Sequence, residues 1–233
     1  MSDFPFDIIG FDLDGTLLDT SGDLTAAVNH TLAMAGKPPL MLDEVKPMIG
    51  GGAKMMLEHG LKAAGGIAEE EFRPLYRAMM AYYTENVSVH TRPFPGAIAL
   101  LDALDAMGVK YGVVTNKFES LAVRALTDLG MFDRMVSVIG VDTLGKERAK
   151  PKGDPIIELI ARAQAQGARG PRAVFVGDSI YDTMSAKAAG VPSVACSFGF
   201  LMHSLEEMDA DAVIDHFDEL IPVLHALQST QAR

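Results

Sequence analysis

Several features that mark whole protein classes are missing from this chain. There is one cysteine, Cys196, so no intrachain disulfide can form. Its apolar setting, "VACSF", reads as that of a buried small side chain rather than a nucleophile. No Lys/Arg-rich block offsets a net charge of −11, so a phosphate backbone would be repelled and no nucleic-acid partner is expected. No apolar stretch reaches the roughly 18 to 20 residues that span a bilayer. The first ten residues, "MSDFPFDIIG", carry no basic leader region, and the expectation is a cytoplasmic protein without a membrane partner. His30, His59, His90, His203, His216 and His225 are scattered without metal-ligand spacing. Internal repeats and low-complexity segments are absent.

Core-forming material is plentiful: 48% of the 233 residues are hydrophobic and 22% charged. "IIGF" after Asp7 is a short apolar run of the kind buried on both faces in a parallel sheet. Similar runs follow at 111–116, 135–140, 173–178, 192–196 and 211–215. Helical spacing lies between them, as in Ile98, Leu101, Leu104 and Met107, and in Leu121, Ala125, Leu126 and Leu129. Alternating strand and helix predicts an α/β fold, a doubly wound parallel sheet with a Rossmann-like core and right-handed crossovers.

Residues 20 to 90 interrupt that alternation. Leu24, Ala27, Val28, Leu32 and Ala35 have helical spacing and stop at Gly36, before Pro38 and Pro39. Ala53, Met56, Leu57, Gly60 and Leu61 form a second pattern ending at Gly65-Gly66, and Phe72, Leu75, Tyr76, Met79 and Tyr83 a third. The expectation is an all-helical insertion of about four helices over residues 19–91, returning through "RPFPG" to a core made of 1–18 plus 92–233. Seven of the 14 methionines (34, 41, 48, 55, 56, 79 and 80) fall in it and read as pliable packing between helices.

The run "FDLDGTLLD" ends a predicted buried strand in two aspartates. Ligands of parallel sheets gather at strand carboxyl ends, near a topological switch point. Asp12 and Asp14 share one face of an extended chain, so their charges crowd unless a cation or a proton separates them. A bound Mg²⁺ would keep one carboxylate ionised while the other exchanges protons. Gly15 permits a sharp turn, and the Thr16 hydroxyl can tie it together.

"DLDGTLLD", "VVTNK" (113–117), "AKPKGDP" (149–155) and "FVGDSIYDTMSAKAAG" (175–190) stand in an order that resembles the haloacid dehalogenase-like phosphatases, within them the phosphoglycolate phosphatase group. The resemblance covers most of the chain and likens the helical insertion to that family's small cap domain. It implies Asp12 as a nucleophile forming an aspartyl phosphate, and Asp14 as the acid for the leaving oxygen and later the base for water. It implies Mg²⁺ held by Asp12, the Asp14 backbone carbonyl and Asp178, with Thr16 and Asp182 behind them. Asp182 would orient a ligand or pair with a lysine. The Thr115 hydroxyl, the Asn116 backbone N–H and Lys150 would hold the phosphoryl group. Lys150 is preferred to Lys152 because it directly precedes the proline. Plainer readings stand beside these: a turn cap for Asp12 or Asp14, a strand-end residue for Thr115, a solvated loop lysine for Lys150.

For the rest of the substrate, Gly50, Gly51 and Gly52 precede a predicted helix whose free N–H groups and positive end suit an anion, with Lys54 one turn in. That arrangement resembles the phosphoglycolate phosphatase cap loop; a hinge loop with a solvated lysine is the plainer alternative. Arg92 and Lys117 are further candidates that also read as surface charges, and "SFGF" (197–200) as either a pocket edge or a plain loop. Asp14 argues against dehalogenation and phosphonate cleavage, whose enzymes lack an acid at that place. The expectation is a phosphatase of a small phosphorylated metabolite, 2-phosphoglycolate first, a sugar phosphate or pyrophosphate next, with a catalytically silent phospho-ligand binder as the rival of another class. Monomer and homodimer are both open.

Overall fold

The structure is a computed structural model that describes residues 4–231. Six parallel strands form the central sheet: β1 (Ile8–Phe11), β4 (Lys110–Val114), β5 (Val138–Ile139), β6 (Ala173–Gly177), β7 (Ser193–Cys196) and β8 (Ala212–Ile214), in the order β5-β4-β1-β6-β7-β8. The predicted doubly wound sheet is therefore present. β1 lies between β4 and β6, with Gly10 opposite both Gly112 and Phe175. Ile8, Ile9 and Phe11 are fully buried, as expected of a strand covered on both faces. The chain winds outward through β4 and β5, then returns to the other side of β1 at β6. The strand order reverses there, so the crevice lies at the carboxyl ends of β1 and β6.

The helices α5 (Ala97–Met107), α6 (Glu119–Asp128), α7 (Asp154–Ala165), α8 (Ile180–Ala189), α9 (Leu205–Met208) and α10 (Leu220–Gln231) accompany the sheet. β5 is shorter than the apolar run 135–140, because only Val138 and Ile139 pair in full with β4 at this edge of the sheet.

Between β1 and β4 the chain makes α1 (Ser21–Met34), α2 (Leu42–Val45), α3 (Ala53–Ala63) and α4 (Glu69–Glu85). The apolar spacing seen in the sequence faces inward: Leu24, Ala27, Val28 and Leu32 of α1, Met56, Leu57, Gly60 and Leu61 of α3, and Leu75, Met79 and Tyr83 of α4 are all buried. The methionine expectation needs correction. Met56 and Met79 are core residues, but Met34 and Met41 are 58% and 73% exposed, because they lie at helix ends that nothing covers.

A short antiparallel ribbon, β2 (Leu18–Asp19) with β3 (Arg92–Pro93), joins the two strands of chain entering and leaving these helices, a feature the sequence did not announce. Asp23, buried in the first turn of α1, accepts hydrogen bonds from the His90 N–H (2.9 Å), the Thr91 N–H (2.9 Å) and the Thr91 hydroxyl (2.8 Å). One carboxylate thus fastens the exit strand to the entry helix.

Candidate active site

The first turn after β1 sets the site. Asp12 continues the strand by donating its N–H to the Val176 carbonyl (2.9 Å), so its side chain stands at the switch point, 3% exposed. Its Oδ1 accepts the Leu13 N–H (2.7 Å) and meets the Lys150 ammonium at 2.9 Å. Lys150 also contacts Asp182 Oδ1 at 2.5 Å. Asp182 sits in the first turn of α8, where its Oδ2 accepts the Ser179 N–H (2.9 Å) and hydroxyl (2.6 Å), an arrangement that holds the carboxylate rigidly on the lysine. Lys152, the competing lysine, is exposed.

Asp178 follows β6. It accepts the Thr16 hydroxyl (3.2 Å) on Oδ1 and the Phe200 N–H (2.7 Å) on Oδ2, and among the described residues no lysine or arginine pairs with it. Two glycines let the chain come this close. A Cβ on Gly15, whose φ is +85°, would stand 2.2 Å from Asp178 Oδ2, and one on Gly199 would stand 2.2 Å from the Asp178 Cβ. The "SFGF" loop therefore supports Asp178, a role its sequence did not disclose; a glycine between aromatics just after a strand was the available signal.

Asp12, Asp178 and Asp182 bring carboxylate oxygens within 4.8 Å of one another. Burial pushes the Asp12 pKa up to about 7, against the pull of Lys150, and burial with the charges of Asp12 and Asp182 raises Asp178 well above the carboxylate range. Burial lowers the tendency of Lys150 to stay charged, but Asp12 and Asp182 outweigh it and its pKa rises to about 12. The cluster thus holds more negative charge than its one lysine balances. All-oxygen donors with excess negative charge fit a hard divalent cation.

Asp14 is not crowded against Asp12 in the way the strand geometry suggested. The strand ends at Phe11, and Asp14 turns to a different lysine: Lys117 Nζ lies 2.9 Å and 3.1 Å from its two oxygens. Lys117 also donates to the Tyr83 hydroxyl of α4 at 2.5 Å. Its side chain is 4% exposed, which corrects the reading of Lys117 as a surface charge. Arg92, by contrast, is exposed and bonded to the Val89 and Thr91 carbonyls.

Thr115 directly follows β4 at 4% exposure, with its Oγ1 accepting the Lys117 N–H (3.2 Å). Asn116 donates from Nδ2 to the Gly50 carbonyl (3.2 Å), joining the loop after β4 to the loop before α3. A cavity of about 40 Å³ lies between them, lined by Asp12, Asp14, Thr115, Asn116, Lys117 and Tyr83, by Gly50, Gly52 and Ala53 at the α3 N-terminus, and by apolar side chains. Gly51 and Lys54 do not line it. Lys54 is 70% exposed and lies 3.5 Å from Glu58, because its place in the first turn of α3 points it along the outer face. The expectation of a cation at Lys54 is corrected accordingly.

Buried carboxylates and lysines thus gather at the switch point of a doubly wound α/β sheet, where such folds bind their ligands. The chain belongs to the haloacid dehalogenase-like hydrolase family, whose model matches residues 9–196. It is 37% identical over 215 residues to the phosphoglycolate phosphatase of Agrobacterium fabrum, covering 92% of this chain and 90% of that protein. Against the phosphoglycolate phosphatase of Caulobacter vibrioides it is 39% identical over 210 residues, covering 90% and 86%. The crystal structure of a predicted phosphoglycolate phosphatase from Haemophilus somnus matches with a TM-score of 0.85 at 28% identity, covering 95% of this chain and 99% of that one. Among the described residues no helix is long and apolar enough to cross a membrane.

Proposed function

We propose that this chain is a Mg²⁺-dependent phosphomonoester hydrolase acting through an aspartyl phosphate on Asp12, with 2-phosphoglycolate as its substrate. The observation that carries the reading is Asp12 at the switch point, its Oδ1 held by Leu13 and Lys150, in a chain 37–39% identical to phosphoglycolate phosphatases. With Oδ1 held, Oδ2 is the oxygen left to attack phosphorus. The ester P–O bond breaks as the new P–O bond to Asp12 forms, and the departing oxygen is protonated through Asp14, whose carboxylate takes up a proton from solvent on leaving its ion pair with Lys117. Asp14 then takes a proton from water, whose oxygen displaces Asp12 and releases inorganic phosphate.

The remaining groups position and neutralise, as phosphoryl transfer requires. The Thr115 hydroxyl and the Asn116 N–H hold phosphoryl oxygens, and Lys150 offsets charge on Asp12 and on the group in flight. Asp182, committed to Lys150 and Ser179, orients the lysine rather than binding metal. Mg²⁺, held by Asp12, Asp178 and the Asp14 carbonyl, would supply the positive charge that the buried acids lack. Thr16 steadies Asp178. Residues 19–91 act as a cap domain over a core of 1–18 and 92–233; the ribbon at Leu18–Asp19 and Arg92–Pro93 falls at that division. The cap excludes water during transfer and opens for product.

The test is a phosphate-release screen with Mg²⁺ across small phosphate esters. A lead of at least tenfold in kcat/KM for 2-phosphoglycolate, about 1.4 kcal/mol in transition-state binding, is expected. A sugar phosphate or pyrophosphate in that place would keep the chemistry and overturn the substrate. Inactivity of folded, Mg²⁺-supplied protein would leave a phospho-ligand binder.

A further inference from the structure

With Lys54 on the outer face, the non-phosphoryl end of the ester lacks a side chain to receive it. A carboxylate entering a largely apolar space needs a cation or well-placed donors to replace its water. Leu24, Ile49, Met56, Met80 and Leu121 line the cavity and offer neither. Among the described residues, Lys117 is the one cation that does line it, and Tyr83 stands against it at 2.5 Å.

The hydrogen-bond directions matter. The ammonium of Lys117 donates to both Asp14 oxygens and to the Tyr83 oxygen. Lys117 is the only partner of the Tyr83 hydroxyl among the described residues, so the phenol proton itself has no acceptor. Burial raises the Tyr83 pKa to about 12, which keeps that proton in place at neutral pH. A hydroxyl polarised by a cation behind it is a stronger donor than a free phenol.

We propose that Tyr83 and Lys117 are the carboxylate-recognition pair of this site, the Tyr83 hydroxyl donating to the acid group of a phosphorylated hydroxy acid with the Lys117 ammonium behind it. The proposal rests on the phosphatase reading above and deepens its substrate class. The pair is also divided between the two parts of the molecule. Tyr83 comes from α4 and Lys117 from the loop after β4, so recognition is complete only while the inserted helices lie against the sheet. Selectivity for the acid is thereby a property of the closed arrangement.

The experiment compares kcat/KM for 2-phosphoglycolate and ethyl phosphate, two alkyl esters that differ in the carboxylate. Effects on leaving-group protonation fall on both esters, so the ratio mainly reads the carboxylate. A charge-assisted hydrogen bond is worth about 1.5–3 kcal/mol, or roughly 10- to 150-fold. Tyr83→Phe, which keeps the ring, is expected to lower the ratio about tenfold, and Lys117→Met about thirtyfold, chiefly through KM for the glycolate ester. Lys54→Ala should leave the ratio unchanged. Wild-type ratios in both variants, with both esters still hydrolysed, overturn the recognition pair alone. A wild-type enzyme that hydrolyses both esters equally well overturns the substrate reading and the pair with it. One that hydrolyses neither overturns the phosphatase reading. Should Lys117→Met not fold, Tyr83→Phe decides the matter by itself.

Discussion

Two aspartates two residues apart each meet a lysine, and the two pairs are built differently. Asp12 and Lys150 lie wholly within the sheet and its connecting loops, with Asp182 fixing the lysine from α8. Asp14 and Lys117 face the inserted helices, and their third member, Tyr83, comes from α4. Where every partner belongs to the sheet, its connecting loops and α8, geometry is held by the core alone. Where one partner comes from the insertion, geometry depends on the neck between the parts, the β2–β3 ribbon and the Asp23 clamp. On the proposed mechanism the first pair carries the nucleophile, while the second carries the proton donor and meets the inserted helices.

The contrast can be broken at several points. The largest effect is expected from Asp12→Asn, which removes the proposed nucleophile and should lower phosphate release by about 10⁴-fold or more with the fold unchanged by circular dichroism. Lys150→Met should act on stability as well as on rate. It leaves Asp12 and Asp182 buried without their cation, and denaturant unfolding should show a loss of about 3–5 kcal/mol. Asp23→Ala tests the neck. It strands the N–H groups of His90 and Thr91, so a loss of about 1–3 kcal/mol is expected, together with a larger proportional fall for 2-phosphoglycolate than for an aryl phosphate.

Metal and pH sharpen the comparison further. The Asp12 pKa is raised from 3.8 to about 7, so the folded metal-free protein binds a proton that the unfolded chain has released. Its contribution to stability is therefore greatest below pH 3.8 and falls as pH rises toward about 7, and Asp178 acts in the same direction. Mg²⁺ should offset that fall, raising the melting temperature more at pH 8 than at pH 5 in scans with and without chelator. A smaller rise at pH 8 would contradict the excess negative charge assigned to the cluster. The smallest effect should come from Lys54→Ala, within about 0.5 kcal/mol in stability, as for an exposed lysine beside one glutamate.

Much of this arrangement was legible in the order of residues because it depends on local rules. An unbroken apolar run located the buried strand of Ile8–Phe11, and period-3.6 patterns located the inward stripes of α1, α3 and α4. Asp12 stood out at a strand end, while Asp178, Lys150 and Asp182 were named through the resemblance of their motifs, and the fold brings the four within a few ångströms. What was not legible shares a cause. Lys54 and Lys117 are both lysines near a glycine-rich or strand-end loop, and nothing in their neighbours along the chain says which is buried. Lys117 is enclosed because α4 packs across the end of β4, and Lys54 is exposed because α3 turns its other face inward.

The sequence by itself determined the alternation of strands and helices, the place of the insertion and the acids that would reach the carboxyl end of the sheet. These follow from side-chain periodicity and from the few ways a parallel sheet can be wound. Only the tertiary structure decided which lysine serves which aspartate, that "SFGF" braces Asp178, and that Tyr83 reaches across to Lys117. Those contacts join residues far apart in the chain, and burial, charge balance and close approach are properties of the packed whole rather than of any segment.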